Sequence, residues 1–236
     1  MRILIYDCEI ENAIPDPKRL KDPKITYCKG WDDHANMGIS VIGCNFMDTE
    51  QDILIPVLDK PYEGKTDLVP DLAYQEMSDF QESLNGTDVL VGFNNHHFDD
   101  KLLAANNIVI PDKVINYDIL AEVWVGAGLP RTFEYPRSIG FSLDAICAAN
   151  GIQRKTGDGA NAALLWQNGK HQKVVDYCMN DIQMTTFLFE LIQAQGFIKD
   201  PRRWNENFCR HNKGFDFKDI PVKTLEQVIK ENHETE

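Results

Sequence analysis

Asp181 stands in the middle of what is otherwise the apolar face of a helix. Counting about 100° per residue from Val174, Ile182 falls near 80°, Leu188 near 320°, Phe189 near 60°, Ile192 near 0° and Tyr177 near 300°. Asp181 lands at about 340°, inside that stripe, while Asp176, Asn180, Gln183 and Glu190 fall between about 160° and 240° and complete a polar face without it. The pattern predicts one long helix from about Lys173 to Gln195. An ionised carboxylate among apolar side chains is costly unless it is paired or bound to a metal. Any fold that buries this helix must therefore bring something to Asp181.

Other acids fall in comparable positions. "RILIYDCEI" reads as a buried strand, and strand alternation puts Ile3, Ile5, Asp7 and Glu9 on one face, with Cys8 on the other. A polar strand end is the plain reading of such a pair alone. In a helix expected from about Phe98 to Asn106, Leu102 and Leu103 lie at about 40° and 140°; Asp99, near 100°, lies between them, and Asp100, near 200°, lies outside. Preference of acids for a helix N-terminus is the plain reading here. Taken together, Asp7, Glu9, Asp99 and Asp181 point inward without an evident basic partner nearby in sequence. Hard divalent cations such as magnesium or manganese relieve that repulsion through carboxylate oxygens.

The order of elements predicts an α/β fold with a mixed sheet flanked by helices. Strands are expected at "MGISVIGCNF", "DILIPVL", "DVLVGFN" and "INYDIL", the first two as a hairpin turning at "MDTEQ"; helices are expected from about Leu72 to Leu84 and at "SLDAICAAN". Ser142 there caps the helix and accounts for Asp144 in its first turn. A Pro- and Lys-rich connection follows the first strand, and a Gly/Pro-containing loop spans about 126 to 140. Glycine-rich "KTGDGAN" lacks the order and strand context of a phosphate-binding P-loop and reads as a loop. Residues 1–195 form the expected domain. Residues 196–236 read as an appendage or partner surface with a final short helix in "VKTLEQVIKEN".

With 24 basic and 37 acidic residues, the net charge of −13 argues against coating nucleic acid through a general positive field. Basic side chains instead concentrate locally: five against two acids over residues 15–30, four against one over 153–173, and five against two over 199–213. Tyr27 and Trp31 accompany the first segment, Trp204 and Phe208 the third, so bases could stack where lysine or arginine holds phosphate; solvated loops are the plain alternative. Six cysteines without a CxxC pair suit a reducing compartment. No apolar run approaches the roughly 20 residues of a membrane span, and "MRILIYDCEI" turns acidic too early for a signal peptide. The expectation is a cytoplasmic protein away from membranes.

Asp7 and Glu9 in "YDCEI", Asp99 in "VGFNNHHFD", and Tyr177 with Asp181 in "YCMND" resemble the three motifs of the DEDDy 3′-to-5′ exonucleases, in particular the proofreading domain of family B DNA polymerases. The resemblance covers roughly residues 1 to 195. It implies a ribonuclease H-like fold and hydrolysis with two divalent cations, Mg²⁺ or Mn²⁺, held by Asp7, Glu9, Asp99 and Asp181, with Tyr177 orienting the attacking water. It implies a single-stranded nucleic acid as substrate, DNA ahead of RNA. Asn94, Asn95 and His96, with Arg154 and Lys155 of the glycine-rich loop, are the expected substrate contacts. Adjacent His96 and His97 are poorly spaced for a shared metal, so Asp99 is the better ligand. An adaptor on a nuclease fold is the alternative of a different class.

Overall fold

The computed structural model describes residues 1–18, 20–47, 53–58, 67–68, 74–152 and 161–234, without the side chains of residues 53, 54, 232 and 233. Strand β1 (Ile3–Ile10) is central. It pairs antiparallel with β2 (Ile39–Met47), which pairs antiparallel with β3 (Ile53–Leu58), and β3 pairs in parallel with the two-residue β4 (Gln75–Glu76). Helix α1 spans Met77–Asn85, and the parallel strand β5 (Val89–Gly92) then lies on the other side of β1. Helix α2 (Asp99–Ala105) follows, and β6 (Ile115–Asp118) closes a six-stranded sheet of order β4-β3-β2-β1-β5-β6.

Alternation sorts the sheet side chains onto two cores. Leu4, Tyr6 and Cys8 pack with Phe80 and Leu84 of α1 and Leu102 and Leu103 of α2. Ile5 packs on the opposite side with Ile182 and Leu188. That side is covered by α3 (Ile119–Gly126), α4 (Leu143–Ala149), α5 (Ala162–Gln167) and the 25-residue α6 (His171–Gln195). Asp176, Gln183 and Glu190 are exposed on α6 and Asp181 is buried, as the helical phase requires.

Three local expectations change. Helix α1 begins later than predicted, because Glu76 is extended and pairs with Leu58; residues 71–73 lie outside the described segments. "INYDIL" is strand only to Asp118, whose carboxylate accepts the amides of Leu120 and Ala121 and caps α3. An apolar run rich in β-branched residues reads alike as strand or buried helix, and the cap decides between them. Helix α5, directly after the glycine-rich loop, is an element to which the sequence pattern assigns no structure. Ser142 does cap α4, accepting the Ala145 amide at 3.2 Å.

Beyond α6, β7 (Phe197–Ile198) pairs antiparallel with β8 (Ile220–Pro221), α7 (Glu206–His211) lies between them, and α8 (Leu225–Glu234) ends the described chain. Ile198, Ile220, Val222 and Leu225 share the core of Ile5 and Ile182. The Tyr117 hydroxyl donates to the Lys223 carbonyl at 2.6 Å, so this segment is built onto β6. Among the described residues no helix is long and apolar enough to cross a membrane, and all six cysteines are free thiols.

Helix α6 approaches the sheet closely at Gly43. A β-carbon there would sit 2.6 Å from Cγ1 of Ile182 and 2.9 Å from Sγ of Cys178. Gly43 pairs with Asp7 across the β1–β2 register, so this contact also sets how near α6 comes to the first acid. Gly43→Ala is expected to destabilise the protein by about 1–3 kcal/mol through overpacking. Urea unfolding would measure it; an unchanged midpoint would mean that the helix sits less tightly than described.

Candidate functional site

The site lies where β1 runs past the end of its pairing with β5. The parallel pairing covers Ile3–Ile5 against Val89–Val91 and ends there. Beyond it, the Cys8 amide donates to Oδ1 of Asp99 at 3.0 Å. The second acid of the strand is followed at once by a bulge between Glu9 and Ile10, where the buried Ser40 hydroxyl donates to both of their carbonyls. A bulge bends a strand and ends its regular pairing.

Glu9, Asp99 and Asp181 are 7%, 4% and 3% exposed. Asp7 is half-buried. Its carboxylate, that of Glu9 and Sγ of Cys178 lie within 4.8 Å of one another. Burial first, then the charges of Asp7, Glu9 and Asp181, push the Cys178 thiol well above its ordinary range. Burial, followed by the charge of Asp7, likewise holds the Asp99 carboxyl well above the usual carboxylate range, against the pull of the Cys8 amide. Asp7 thus stands electrostatically between α2 and α6. Tyr177 is buried one turn before Asp181 on α6.

This donor set fits hard divalent cations better than zinc or another soft metal. Carboxylate oxygen is the ligand such ions prefer. Cys178 is held as the neutral thiol and lies 3.6 Å from the Asp7 carbonyl, which it can serve as a weak donor. Strand and helix periodicity do not single out Cys178, although its place directly after Tyr177 is a usable signal.

The loop entering α2 is fixed from behind. Asp118, 1% exposed, accepts the amides of Asn94 at 3.0 Å and His96 at 3.2 Å in addition to those of Leu120 and Ala121. Asp118 thus supports the loop through its backbone amides. Asn94 turns with φ +67°, and its side chain is half-buried. Asn95, expected to touch substrate, is fully buried: its amide donates to Asn116 at 2.7 Å and to Asp100 at 3.4 Å. Its contacts place it in the scaffold. Gly92 makes room for it, since a β-carbon there would fall 2.6 Å from that of Asn95. Asp100 also accepts the Tyr6 hydroxyl and the Asn116 amide, a network unseen in the sequence because its members come from β1, β6, α2 and the loop before α2.

His96 keeps a ring one-third exposed, 3.8 Å from Asp118, and His97 meets the Arg131 carbonyl at 2.9 Å. Arg154 and Lys155 lie outside the described residues. A cleft of about 470 Å³ beyond the end of β1 is lined by Asn12, Tyr27, Lys29 and Asn36 among others, and by none of the four acids.

Asp118→Ala is expected to cost about 2–4 kcal/mol, from a lost cap and backbone donors left without their acceptor. Thermal or urea melts would show it. A loss below about half a kcal/mol, the size of an ordinary surface substitution, would contradict the pinning role.

No family model and no curated protein matches the sequence. Among solved structures, the chain is similar to the family B DNA polymerase from the hyperthermophilic archaeon Pyrobaculum calidifontis, with a TM-score of 0.52 and 14% identity over 81% of this chain and 24% of the polymerase. A second similarity is to the zinc-ion-bound form of the E. coli ExoI–ssDNA complex, with a TM-score of 0.44 and 16% identity over 90% of this chain and 43% of that one. The chain spans about a quarter of the polymerase's length and under half of ExoI's. The first likeness bears on fold: an α/β, ribonuclease H-like mixed sheet flanked by helices, as the sequence led one to expect.

Proposed function

We propose that this chain is a divalent-cation-dependent 3′-to-5′ exonuclease that hydrolyses phosphodiester bonds at the end of single-stranded nucleic acid, DNA in preference to RNA. The observation that carries the reading is the meeting of Asp7 and Glu9 with Asp99 beyond the end of the β1–β5 pairing and with the Cys178–Asp181 turn of α6. Likeness in fold to a DNA polymerase supports a nucleic acid as the substrate class.

Asp7, Glu9, Asp99 and Asp181 would hold two ions, Mg²⁺ or Mn²⁺. Such a pair, when bound, supplies a deprotonated water and neutralises charge on the phosphate and the leaving oxygen. The protein's part is to hold the carboxylates converged on rigid elements, where bound cations would offset the burial that disfavours their charge. Asp99 is held by the Cys8 amide, Asp7 and Glu9 by the strand, and Asp181 by the packed face of α6. Tyr177, projecting from the same face as Asp181, orients the attacking water through its hydroxyl. Burial of three of the acids excludes bulk water and strengthens each electrostatic contact.

The test is digestion of matched 5′-labelled single-stranded DNA and RNA with magnesium, manganese or chelator. A cation-dependent ladder shortening from the 3′ end, faster on DNA, is expected. Faster loss of the RNA would reverse the sugar preference; intact DNA and RNA under every condition would sink the reading.

A further inference from the structure

Aromatic contacts converge on adjacent residues immediately before Asp99, where His34 also meets Phe98 at 5.7 Å. Trp31, from the loop after β1, meets Phe98 edge-on with ring centroids 6.2 Å apart. His97 lies 6.2 Å from the buried Trp124, which meets Phe133 edge-on at 6.4 Å. Each series ends in a ring open to solvent: Trp31 is 67% exposed and Phe133 61%, and Tyr135, two residues further on, is 77% exposed. Single exposed rings are ordinary on protein surfaces. Phe187 and Trp204 are such cases, and no ring contact among the described residues joins them to the loop before Asp99.

The segment bearing Phe133 and Tyr135 is held in place. Arg131 pairs with the buried Glu122 of α3, and its carbonyl meets Nε2 of His97. The Ser138 amide donates to the Glu134 carbonyl at 2.8 Å, and the Glu134 amide to the Ser138 hydroxyl at 2.9 Å. A prefixed ring binds a planar ligand with little further ordering cost. The charges of this segment are already partnered, Arg131 with Glu122 and Arg137 with Glu134 at 3.2 Å. What remains to be recognised here is a flat apolar face, which every nucleobase has and which successive bases of an unpaired strand can turn toward a ring.

We propose that Trp31 and the Phe133–Tyr135 pair are stacking platforms for the bases of a single-stranded nucleic acid, reached by separate routes from the loop that presents Asp99. Their role in feeding a 3′ end to the acids rests on the exonuclease reading; base binding itself does not. The platforms favour unpaired strands, because successive bases inside a duplex have their faces covered by stacking on one another.

The test uses the full chain in chelator, where binding is read without hydrolysis, by fluorescence anisotropy of a short labelled oligothymidine, its oligouridine counterpart and an abasic strand of equal length. Trp31→Ala, and Phe133→Ala with Tyr135→Ala, should each weaken binding to the base-bearing strands on the order of tenfold, Trp31→Phe should restore most of the affinity, and the abasic strand should be insensitive to all of them. Equal loss on oligothymidine and oligouridine would mean stacking alone; loss on one would add recognition of its sugar or base to the platform. Variants that melt like the parent and bind both base-bearing strands unchanged would overturn the proposal and leave the rings to a protein partner. A parent chain that binds with this ring dependence but shortens neither strand with magnesium or manganese would sink the exonuclease reading while supporting the platforms.

Discussion

Asp181→Asn is expected to lower the rate of 3′-end hydrolysis by about 10³-fold or more, on the order of 4 kcal/mol of transition-state stabilisation. The amide is nearly isosteric, so the packing of α6 around Ile182 and Leu188 should persist. What is lost is one negative charge in a buried site, where it matters most for holding a cation. Single-turnover digestion of 5′-labelled single-stranded DNA, beside a thermal melt of both proteins, separates loss of chemistry from loss of fold. Full activity in a folded Asp181→Asn protein would remove Asp181 from the site and with it the two-ion arrangement. A matched loss of fold would instead place Asp181 among the structural groups of α6.

The second large effect is a coupling between cations, pH and stability through Asp99. Burial raises the carboxyl in the folded chain, with the charge of Asp7 adding to it. A carboxylate whose folded pKa lies above its unfolded value penalises the fold once it must ionise; the penalty grows as pH rises from the ordinary carboxylate range to the raised value and disappears again on acidification. In chelator at neutral pH, Asp99→Asn should therefore be more stable than the parent protein, because the amide has no charge to desolvate and its oxygen can still accept the Cys8 amide. Divalent cations should reverse the ranking. An ion at a hundred times its dissociation constant stabilises the parent by about 2.7 kcal/mol, and the variant should gain much less. Melting temperatures in chelator, magnesium and manganese test both halves. Equal stabilisation of the two proteins by either cation would exclude Asp99 as a ligand.

Much of the site was legible because its orientation is local. Strand alternation was enough to put Asp7 and Glu9 on one face of β1 and Cys8 on the other, and helical phase was enough to turn Asp99 and Asp181 inward. Other features were not local. Asn95 looked like a substrate contact because it is polar and precedes the second acid, but its partners Asn116 and Asp100 are fixed by strand pairing and chain path. Helix α3 was missed because its apolar residues suit a buried strand equally well. Asp118 decides the matter by capping α3 and holding the Asn94–His96 turn at once.

The sequence by itself determined an α/β chain, the long helix with a buried acid, and the face on which each of the four carboxylates points, since those depend on periods of two and 3.6 residues along one element. Only the tertiary structure decided that those faces meet. Gly43 lets α6 approach the sheet beside Asp7, the end of the β1–β5 pairing leaves the Cys8 amide for Asp99, Trp31 reaches Phe98, and Trp124 joins Phe133 to His97. Such contacts join residues far apart in the chain, and no local periodicity encodes the distance between two elements.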